Sequence, residues 1–410
     1  MARTLTEDCT EVDECIACGN IKLIPVLDLG LQPLANSFKK TATEKEENYP
    51  LAVKFCPNCS HMQLSHMVHP DKLFKHYLYV SGTSTTQLNY FKWFAEMVQS
   101  KVSNGNILDI GCNDGSQLDV FKSIGFQTYG IDPAKNLYPI SSKKHTVICE
   151  YFNNDDVGFD CSFDTIICQN AFAHNYDQLG FLSKCKNILS DSGLIFISIS
   201  QATMIENNEF DTIYHEHYSY YNVKSIDALC RRAGVVLVDV IKHPIHGNSY
   251  IFVISKSNNR SKTVDEMIDH ENAIGLNDES TYKTYADSAV RIANEFKTIV
   301  ADTKANGYVI VGYGSPAKGN TMLNFSKTTL DFIIDDNPLK QGMFTPGSSI
   351  PIFAINRLDE YQMDEKLCFV SLAWNFFEEI SKKIADKRPN TLDAYLRYFP
   401  SVTLVPQNSI

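Results

Sequence analysis

The stretch Asn106-Ile-Leu-Asp-Ile-Gly111-Cys-Asn-Asp-Gly115-Ser116 decides the fold of the central part of the chain. A short apolar run ends in a glycine-rich turn, and apolar residues at helical spacing follow over 117–124. A second apolar run, 128–132, ends in Asp132. This order of strand, glycine turn, helix and acid-ended strand is typical of a doubly wound parallel sheet, in which ligands bind beyond the carboxyl ends of the strands.

The spacing of the glycines separates the classes of cofactor. Three residues lie between Gly111 and Gly115, and no Gly-Lys-Ser/Thr follows, so the turn is neither a dinucleotide GxGxxG nor a Walker loop. An Asp-x-Gly-x-x-x-Gly turn is typical of S-adenosylmethionine sites, and an acid after the second strand can accept both ribose hydroxyls. A nicotinamide site is the alternative. The predicted cofactor-binding residues are Asp109, Gly111, Asn113, Gly115, Asp132 and Asn170.

Strand and helix patterns go on alternating downstream. The apolar run 164–170 predicts a strand, 181–189 has the spacing of a helix, and 194–200 predicts the next strand. A further apolar run follows at 250–255. This alternation predicts an α/β fold built on a parallel sheet.

Two Cys-x-x-Cys pairs lie upstream of this region. Cys15 and Cys18 form the first pair, and Cys56 and Cys59 form the second after an interval of 37 residues. Four thiolates satisfy tetrahedral Zn²⁺ in a closed structural site. A redox pair or two coincidental pairs are the alternatives, but two pairs together favour zinc. We therefore predict a structural zinc ion that supports a small N-terminal domain.

Composition limits the classes of function. The 410 residues are 44% hydrophobic and 21% charged, which indicates a folded protein of roughly two to four domains. A net charge of -11 without a Lys/Arg block argues against nucleic acid as a partner. No apolar run is long enough to predict a membrane span, and no signal-peptide pattern opens the chain. The other cysteines are scattered and predicted to be reduced, so we expect a cytoplasmic protein.

An unusual cluster of titratable side chains occupies 209–221 and contains Tyr214-His-Glu-His217. Histidine is the natural general base near neutral pH, Glu can orient it, and Tyr can donate a hydrogen bond to an oxyanion. The histidines lack the spacing of the HExxH zinc motif, so a metal site is a weaker alternative, as is a solvated loop. The cluster follows the fourth predicted strand, where an α/β sheet presents reacting groups.

Two further loops have the composition of substrate contacts. The first, 74–84, combines aromatic rings and hydroxyls, with ordinary surface as the alternative. The second, 246–249, contains a glycine that indicates either a close backbone approach or a hairpin turn. The candidate substrate-binding residues of these loops are Tyr77, Tyr79, Ser81, Thr83, His246 and Asn248.

The C-terminal third repeats the pattern of the central part. The stretch 308–320 predicts a strand, a glycine turn and the start of a helix, and 331–336 is a second acid-ended strand. Backbone amides at the start of that helix, together with Lys318 and Asn320, could hold a diphosphate. A degenerate repeat that holds no ligand is the alternative.

Taken together, these stretches resemble the sugar C-methyltransferases that act on nucleotide-linked 4-keto-6-deoxyhexoses. The matching stretches are 15–18, 32–36, 56–59, 79–84, 109–115, 210–217, 246–247 and 312–320, and Tyr214-His-Glu-His217 is the most specific of them. The resemblance implies an α/β protein with three domains. They are a zinc-binding domain at 1–85, a class I S-adenosylmethionine-dependent methyltransferase domain at 86–257, and a Rossmann-like domain at 258–410 that helps to hold the sugar nucleotide.

The same resemblance implies roles for individual residues. The implied catalytic residues are His217, Tyr214, Glu216 and His174. His217 is implied as the base, with Tyr77 near the sugar, although a Tyr214 base with His217 as its partner stays open. The chain departs from the family at 198–201, where a Glu followed by apolar residues is expected, and at Asn248, where a second glycine is expected.

We therefore expect methyl transfer from S-adenosylmethionine to carbon 3 of a nucleotide-linked 4-keto-6-deoxy sugar. The ketone acidifies the neighbouring C–H, a base removes that proton, and the enolate carbon takes the methyl group. An O-methyltransferase or a keto-sugar epimerase of the same fold is the first alternative, and a zinc-ribbon protein that binds nucleic acid is the second. The nucleoside (dTDP, GDP or CDP), the sugar and the oligomeric state stay open, a monomer included.

Overall fold

The computed structural model describes residues 8–74, 81–83, 85–245 and 249–407 of the chain. The chain forms two compact units. Unit 1 consists of residues 1–25, 54–203 and 216–281, and unit 2 of residues 26–53, 204–215 and 282–410. The division into three domains expected from the sequence stays a prediction.

The strands and helices are numbered along the chain. The strands of the first half are β1 (Cys9–Glu11), β2 (Ile24–Pro33), β3 (Asn48–Phe55), β4 (Met62–Leu64), β5 (His66–Val68), β6 (Asn106–Ile110), β7 (Gln127–Ile131), β8 (Thr146–Ile148), β9 (Phe163–Gln169) and β10 (Leu189–Ile199). Those of the second half are β11 (Ser219–Tyr220), β12 (Val236–His243), β13 (Ser249–Ser255), β14 (Val309–Tyr313), β15 (Phe332–Ile334), β16 (Ile352–Phe353), β17 (Leu367–Ser371), β18 (Ala394–Arg397) and β19 (Thr403–Pro406). The α-helices are α1 (Pro70–Phe74), α2 (Thr85–Gln99), α3 (Ser116–Ser123), α4 (Tyr138–Ser141), α5 (Gln178–Ile188), α6 (Val223–Ala233), α7 (Lys262–Ala273), α8 (Glu279–Ala305), α9 (Ala317–Ser326) and α10 (Phe377–Lys387).

Unit 1 is built on a seven-stranded sheet of order β12-β13-β10-β9-β6-β7-β8. The strands from β6 to β10 pair in parallel, whereas β13 runs antiparallel to both β10 and β12. The sequence-based expectation of a parallel sheet with a strand–glycine turn–helix–strand opening is confirmed for β6, α3 and β7. The antiparallel direction of β13 was not predicted, because apolar periodicity does not encode strand direction.

Helices cover both faces of this sheet, which explains why the central strands are continuous apolar runs. Successive residues of β9 point to opposite faces. Ile166 belongs to a core cluster with Phe181 of α5, and Ile167 belongs to a second cluster with Phe94 of α2 and Phe121 of α3. Packing on both faces therefore holds the parallel strands in place, including their carboxyl ends.

The cysteine pairs of unit 1 lie beside short antiparallel strands. β1 pairs with β5, and β4 pairs with β11, which follows the Tyr214–His217 cluster in sequence. We call residues 9–25 and 54–68, which contain both cysteine pairs, the cysteine module.

Unit 2 is built on a six-stranded sheet of order β16-β15-β14-β17-β18-β19. All its neighbouring strands pair in parallel except β19, which runs antiparallel to β18. Gly314, with φ of 78°, makes the turn between β14 and α9. The strand and glycine turn expected over 308–320 are therefore confirmed. Among the described residues, no helix combines the length and the apolar character needed to cross a bilayer.

Candidate active site and cysteine cluster

The four predicted metal ligands lie together. The sulfur atoms of Cys15, Cys18, Cys56 and Cys59 are all within 4.8 Å of one another. The Sγ atoms of Cys15 and Cys59 are 3.6 Å apart, as are those of Cys18 and Cys56. A tetrahedral zinc ion with Zn–S bonds of about 2.3 Å separates its sulfurs by roughly 3.8 Å, so the cluster has the dimensions of a Zn–Cys₄ site.

Hydrogen-bond donors around the sulfurs favour their thiolate forms. The backbone N–H of Cys18 donates to Cys15 Sγ at 3.4 Å, and the side chain of Asn58 donates to Cys18 Sγ at 3.4 Å. Hydrogen bonds from Cys15 and Cys59 lower the pKa of Cys56. Hydrogen bonds with Cys15 and Cys56, followed by burial, raise the pKa of Cys59, and a bound divalent cation would reverse this shift. The donor set and its surroundings therefore fit zinc.

The glycine turn after β6 is shaped by positive φ angles and by Asp132. Gly111 has φ of 82° and Gly115 has φ of 84°, a region that favours glycine. The Asp132 carboxylate, just beyond β7, accepts hydrogen bonds from the N–H of Asn113 at 2.9 Å and of Ala134 at 2.8 Å. One N–H thus binds each carboxylate oxygen, and each oxygen keeps a further lone pair for a ligand hydroxyl.

The same turn holds the loop that contains Ser81. The side chain of Asn113 accepts the N–H of Ser81 at 3.0 Å, and Asp114 accepts the N–H of Gly82 at 3.0 Å. A Cβ atom on Gly82 would come within 2.3 Å of Ser116 Oγ, so a larger residue here would require the Ser116 side chain to shift. The structure therefore places Ser81, a predicted substrate residue, next to the predicted cofactor turn.

Asp109 and Asn170 lie on neighbouring strand ends. Asp109 is buried in β6, and this burial, together with the charges of Asp132 and Asp114, raises the pKa of Asp109 to about 8. Asn170, beyond β9, has φ of 53° and donates its N–H to Ser198. Its Oδ1 atom is buried without a hydrogen-bond partner among the described residues, which is the state expected of a group that receives a ligand donor.

His174 and His217 meet beyond the same edge of the sheet. Their ring centroids are 5.1 Å apart, and His174 also stacks on Phe74 at 5.5 Å. Burial lowers the pKa of His174 to about 4, so this histidine is neutral at pH 7. Its Nε2 atom is buried and has no hydrogen-bond partner within the described part of the chain.

Gln201 is a neighbour of His217 that sequence reasoning did not assign to the site. Its amide nitrogen lies 3.1 Å from His217 Nε2 and 3.4 Å from Nδ1, so it is within hydrogen-bond distance of both ring nitrogens. Both side chains are buried. Gln201 lies in the stretch where the chain departs from the sugar C-methyltransferases, and that departure was the only signal available in the sequence.

The Tyr214–His217 motif is divided between the two units. Tyr214 and His215 belong to unit 2, and Glu216 and His217 belong to unit 1. In unit 2, His215 Nε2 lies 3.4 Å from the carbonyl oxygen of Tyr49, and burial lowers the pKa of His215 to about 4. In unit 1, Glu216 is buried next to His217 in the chain. The structure thus brings His174, Glu216 and His217 into one unit.

Unit 2 holds a buried carboxylate beside the start of α9. Asp211 accepts hydrogen bonds from Trp374 Nε1 at 2.8 Å and from the Tyr398 hydroxyl at 3.2 Å, and burial raises its pKa. Lys318 lies over the Trp374 ring, 5.0 Å from its centroid. Burial raises the pKa of Glu209 to about 7 against the opposing charge of Lys318. Lys318 therefore balances two buried acids in this cluster.

Asn320, a predicted substrate residue, and Asp335, the acid after the second strand of unit 2, have partners within the protein. The side chain of Asn320 is buried and donates to the carbonyl oxygen of Ala35 at 2.8 Å. Asp335, beyond β15, accepts the N–H of Ser315 at 2.7 Å and of Asn337 at 2.8 Å, the same pattern that Asp132 shows in unit 1. Lys340 Nζ lies 3.7 Å from the Asp335 carboxylate. The second glycine turn thus repeats the first but has a lysine beside its acid.

Several predicted substrate residues fall on parts of the chain that the structure does not describe. Tyr77, Tyr79, His246 and Asn248 lie outside the described residues, as does the side chain of Thr83.

Models of known protein families match nearly the whole chain. Three family models match in succession: a zinc binding domain over residues 15–74, a methyltransferase domain over 84–240 and a C-methyltransferase C-terminal domain over 244–392.

Relatives of known description are methyltransferases. The C-methyltransferase NovU of Streptomyces niveus is 29% identical over 386 residues, which are 90% of this chain and 91% of that protein. An uncharacterized methyltransferase of Staphylococcus carnosus (strain TM300) is 26% identical over 35% of this chain and 72% of its own length. A ubiquinone biosynthesis O-methyltransferase of Actinobacillus pleuropneumoniae serotype 7 (strain AP76) is 25% identical over 24% of this chain and 47% of that protein.

Four observations agree with one another. They are the methyltransferase sheet with its glycine turn, the Cys₄ cluster, the succession of three family models and the nearly full-length match to NovU. The chain carries in succession a zinc-binding domain, an S-adenosylmethionine-dependent methyltransferase domain and a C-methyltransferase C-terminal domain, and it is similar over nearly its whole length to the C-methyltransferase NovU.

Proposed function

We propose that the enzyme methylates carbon 3 of a nucleotide-linked 4-keto-6-deoxy sugar and that His217 removes the proton from that carbon. The observation that carries the proposal is the buried pair of His174 and His217, which meets beyond the strand ends that also present Asp132 and Asn170. Because the carboxyl ends of parallel strands share one edge of a sheet, the proposed base and the proposed cofactor residues lie on the same side.

The residues proposed to hold the cofactor surround the glycine turn. S-adenosylmethionine, when bound, supplies an electrophilic methyl group. Asp132 is proposed to accept its ribose hydroxyls, and Asn170 Oδ1 is proposed to accept a further donor. Gly111 and Gly115 allow the backbone to approach the ligand, with Asn113 and Asp109 shaping the turn. Asp109, whose pKa is raised to about 8 by burial, is largely protonated at pH 7 and adds little negative charge.

Proton removal is the demanding step in C-methylation, because the reacting carbon carries no acidic hydroxyl. The 4-keto group makes the C–H at carbon 3 more acidic, because the carbanion is stabilised as an enolate. A positioned base contributes a further factor of about 10²–10⁴ in rate. His217 takes the proton from carbon 3 and leaves a nucleophilic enolate carbon. Bound S-adenosylmethionine would supply the methyl group to that carbon, with its sulfonium S–CH₃ bond broken and S-adenosylhomocysteine as the leaving group. His174, with a pKa near 4, is too weak a base for this step but can hydrogen-bond to the substrate through Nε2.

Two further roles are proposed for the Tyr214–His217 motif. Glu216, adjacent to His217 and buried, is proposed to orient it. Tyr214 is proposed to donate a hydrogen bond to the enolate oxygen. The substrate class rests on the resemblance of this motif and of stretch 79–84 to the sugar C-methyltransferases. Ser81, a member of that stretch, lies beside the proposed cofactor turn.

The remaining proposed substrate residues divide between two groups. Lys318 and Asn320 of unit 2 are proposed to help bind the nucleotide diphosphate, with Lys318 as the cation beside Trp374. The other proposed substrate residues are Tyr77, Tyr79, Thr83, His246 and Asn248.

The test is incubation of the purified enzyme with ¹³C-methyl-labelled S-adenosylmethionine and dTDP-, GDP- and CDP-linked 4-keto-6-deoxy sugars. We expect one sugar nucleotide to gain a single CH₂ unit, with the labelled methyl bonded to carbon by NMR. A methyl signal on oxygen would identify an O-methyltransferase instead. Deuterium uptake at carbon 3 with no methyl gain would identify an epimerase-type activity.

A further inference from the structure

The residues that directly follow His217 are bound to the cysteine module. Tyr218 donates its N–H to the carbonyl of Ala173 at 2.9 Å and accepts the N–H of Leu64 at 3.0 Å. Its hydroxyl donates to the carbonyl of Val68 at 2.5 Å. The residue next to His217 is therefore held between the end of β9 on one side and the cysteine module on the other.

Ser219 connects the same segment to the second cysteine pair. Its hydroxyl lies 3.2 Å from His61 Nε2 and accepts a hydrogen bond from Gln178 at 3.1 Å. His61 follows Cys59 by two residues, and its carbonyl accepts the N–H of Cys56 at 2.8 Å. All three side chains of this group are fully buried, so water does not replace these bonds.

Further contacts reach both cysteine loops. Asn222, four residues after Tyr218, donates to the carbonyl of Ser60 at 2.9 Å. Gln63, the β4 partner of Ser219, accepts the N–H of Ile16 at 2.8 Å and donates to Glu14 at 3.1 Å. Since Ile16 lies between the two cysteines of the first pair, the strand pairing of β4 with β11 links both cysteine loops to the residues after His217.

We propose that the cysteine module positions His217. Ser219 is the positioning residue, because its bonds to His61 and Gln178 connect the module to the segment that directly follows His217. The inference rests on the proposed role of His217 as the base. A misplacement of about 1 Å at a reacting group can cost roughly 10²-fold in rate, so a segment held by a metal-stabilised module offers the precision that a loop alone lacks.

Two substitutions separate positioning from folding. Ser219→Ala removes the hydroxyl shared by His61 and Gln178, whereas His61→Phe removes one bond and keeps a ring against Tyr221, whose centroid lies 4.5 Å away. Zinc content, S-adenosylmethionine affinity by calorimetry, KM, kcat and deuterium uptake at carbon 3 with S-adenosylhomocysteine bound are measured on the full chain. We expect wild-type zinc content, cofactor affinity and KM, with kcat and uptake lowered together by roughly 10- to 100-fold. The double variant should match Ser219→Ala, because the two changes act on one bond.

The matched control is Ser255→Ala, which removes another buried hydroxyl with two hydrogen-bond contacts, both to Ser257. Ser255 pairs with Leu194, which lies seven residues before Gln201 in the chain, and loss of the Ser255 hydroxyl should change kcat less than about twofold. A kcat in both test variants equal to that of the control would overturn the inference. A fall in kcat that occurs only together with a loss of zinc or of cofactor affinity would also overturn the inference, because it would report a folding defect.

His217→Asn, assayed in parallel, separates this inference from the proposed function. If His217→Asn loses deuterium uptake while Ser219→Ala keeps it, the inference fails and the base assignment stands. If His217→Asn keeps uptake, the base assignment fails and the inference fails with it.

Discussion

The imidazole rings of His174 and His217 are inclined by 35° with their centroids 5.1 Å apart. Burial lowers the pKa of His174 to about 4, so His174 stays neutral over the pH range in which histidine bases work. A second cation beside His217 would oppose its protonation. A neutral His174 would therefore allow His217, the proposed base, to accept a proton without like-charge repulsion from its neighbour.

His217→Asn should preserve the fold and the affinity for both ligands and lower turnover by about 10²–10⁴, the range expected when general-base help is lost. The decisive measurement is deuterium uptake into carbon 3 of the keto sugar with S-adenosylhomocysteine bound. Uptake should disappear in His217→Asn, weaken only in Tyr214→Phe, and take an intermediate value in Glu216→Gln. The reverse ranking would make Tyr214 the base.

Gln201→Glu should move the acidic limb of the pH–rate profile to higher pH. A carboxylate at the position of the Gln201 amide, 3.1 Å from His217 Nε2, would favour the imidazolium form of His217. Activity on the acidic side of the profile should therefore fall in Gln201→Glu and recover at higher pH. Gln201→Leu, which removes the amide without adding charge, is the control and should move the limb less than Gln201→Glu does. An unshifted profile in Gln201→Glu would contradict a contact between these side chains.

Asp132→Ala should weaken S-adenosylmethionine binding by about 1.5–3 kcal/mol, the cost of losing a hydrogen bond to a charged group. Asp335→Ala is a matched control, because Asp335 binds two backbone N–H groups in unit 2 just as Asp132 does in unit 1. Calorimetry should show an effect of the first substitution alone. Equal affinities for the two variants would argue against a ribose contact by Asp132.

Cys59→Ser should lower zinc content and thermal stability together, because a structural metal contributes its binding free energy to folding. Cys161→Ser changes a half-buried cysteine outside the cluster and should keep one zinc per chain. Metal analysis and thermal unfolding of both variants test this. A Cys59→Ser enzyme that lacks zinc but melts at the wild-type temperature would remove the structural role.

Asp109→Asn should stabilise the cofactor-free protein more at pH 8 than at pH 5. The folded-state pKa of Asp109, about 8, lies above the unfolded value near 4, so its contribution to stability is fully present below pH 4 and is lost as the pH rises towards 8. The difference in unfolding free energy between variant and wild type should increase by up to about 1.4 kcal/mol per pH unit in that window. Urea unfolding at both pH values measures it, and a pH-independent difference would contradict the raised pKa.

The sequence predicted the elements whose signals are local. The glycine turn at 106–116, the helix that follows it and the acid-ended strand all lie within one short stretch, so apolar spacing and turn residues define them without long-range contacts. The two cysteine pairs are likewise recognised from their spacing in the sequence. Their assembly into one cluster was predictable because four thiolates close a tetrahedral zinc site.

Only the tertiary structure decided which side chains share an environment. Gln201 and His217 are 16 residues apart, His61 and Ser219 are 158 residues apart, and neither pair follows any sequence period. The antiparallel direction of β13 and the lysine beside Asp335 were equally absent from the local pattern. Periodicity records which face of an element is apolar, whereas pairwise contacts and pKa shifts depend on burial and neighbours that form only when distant segments pack.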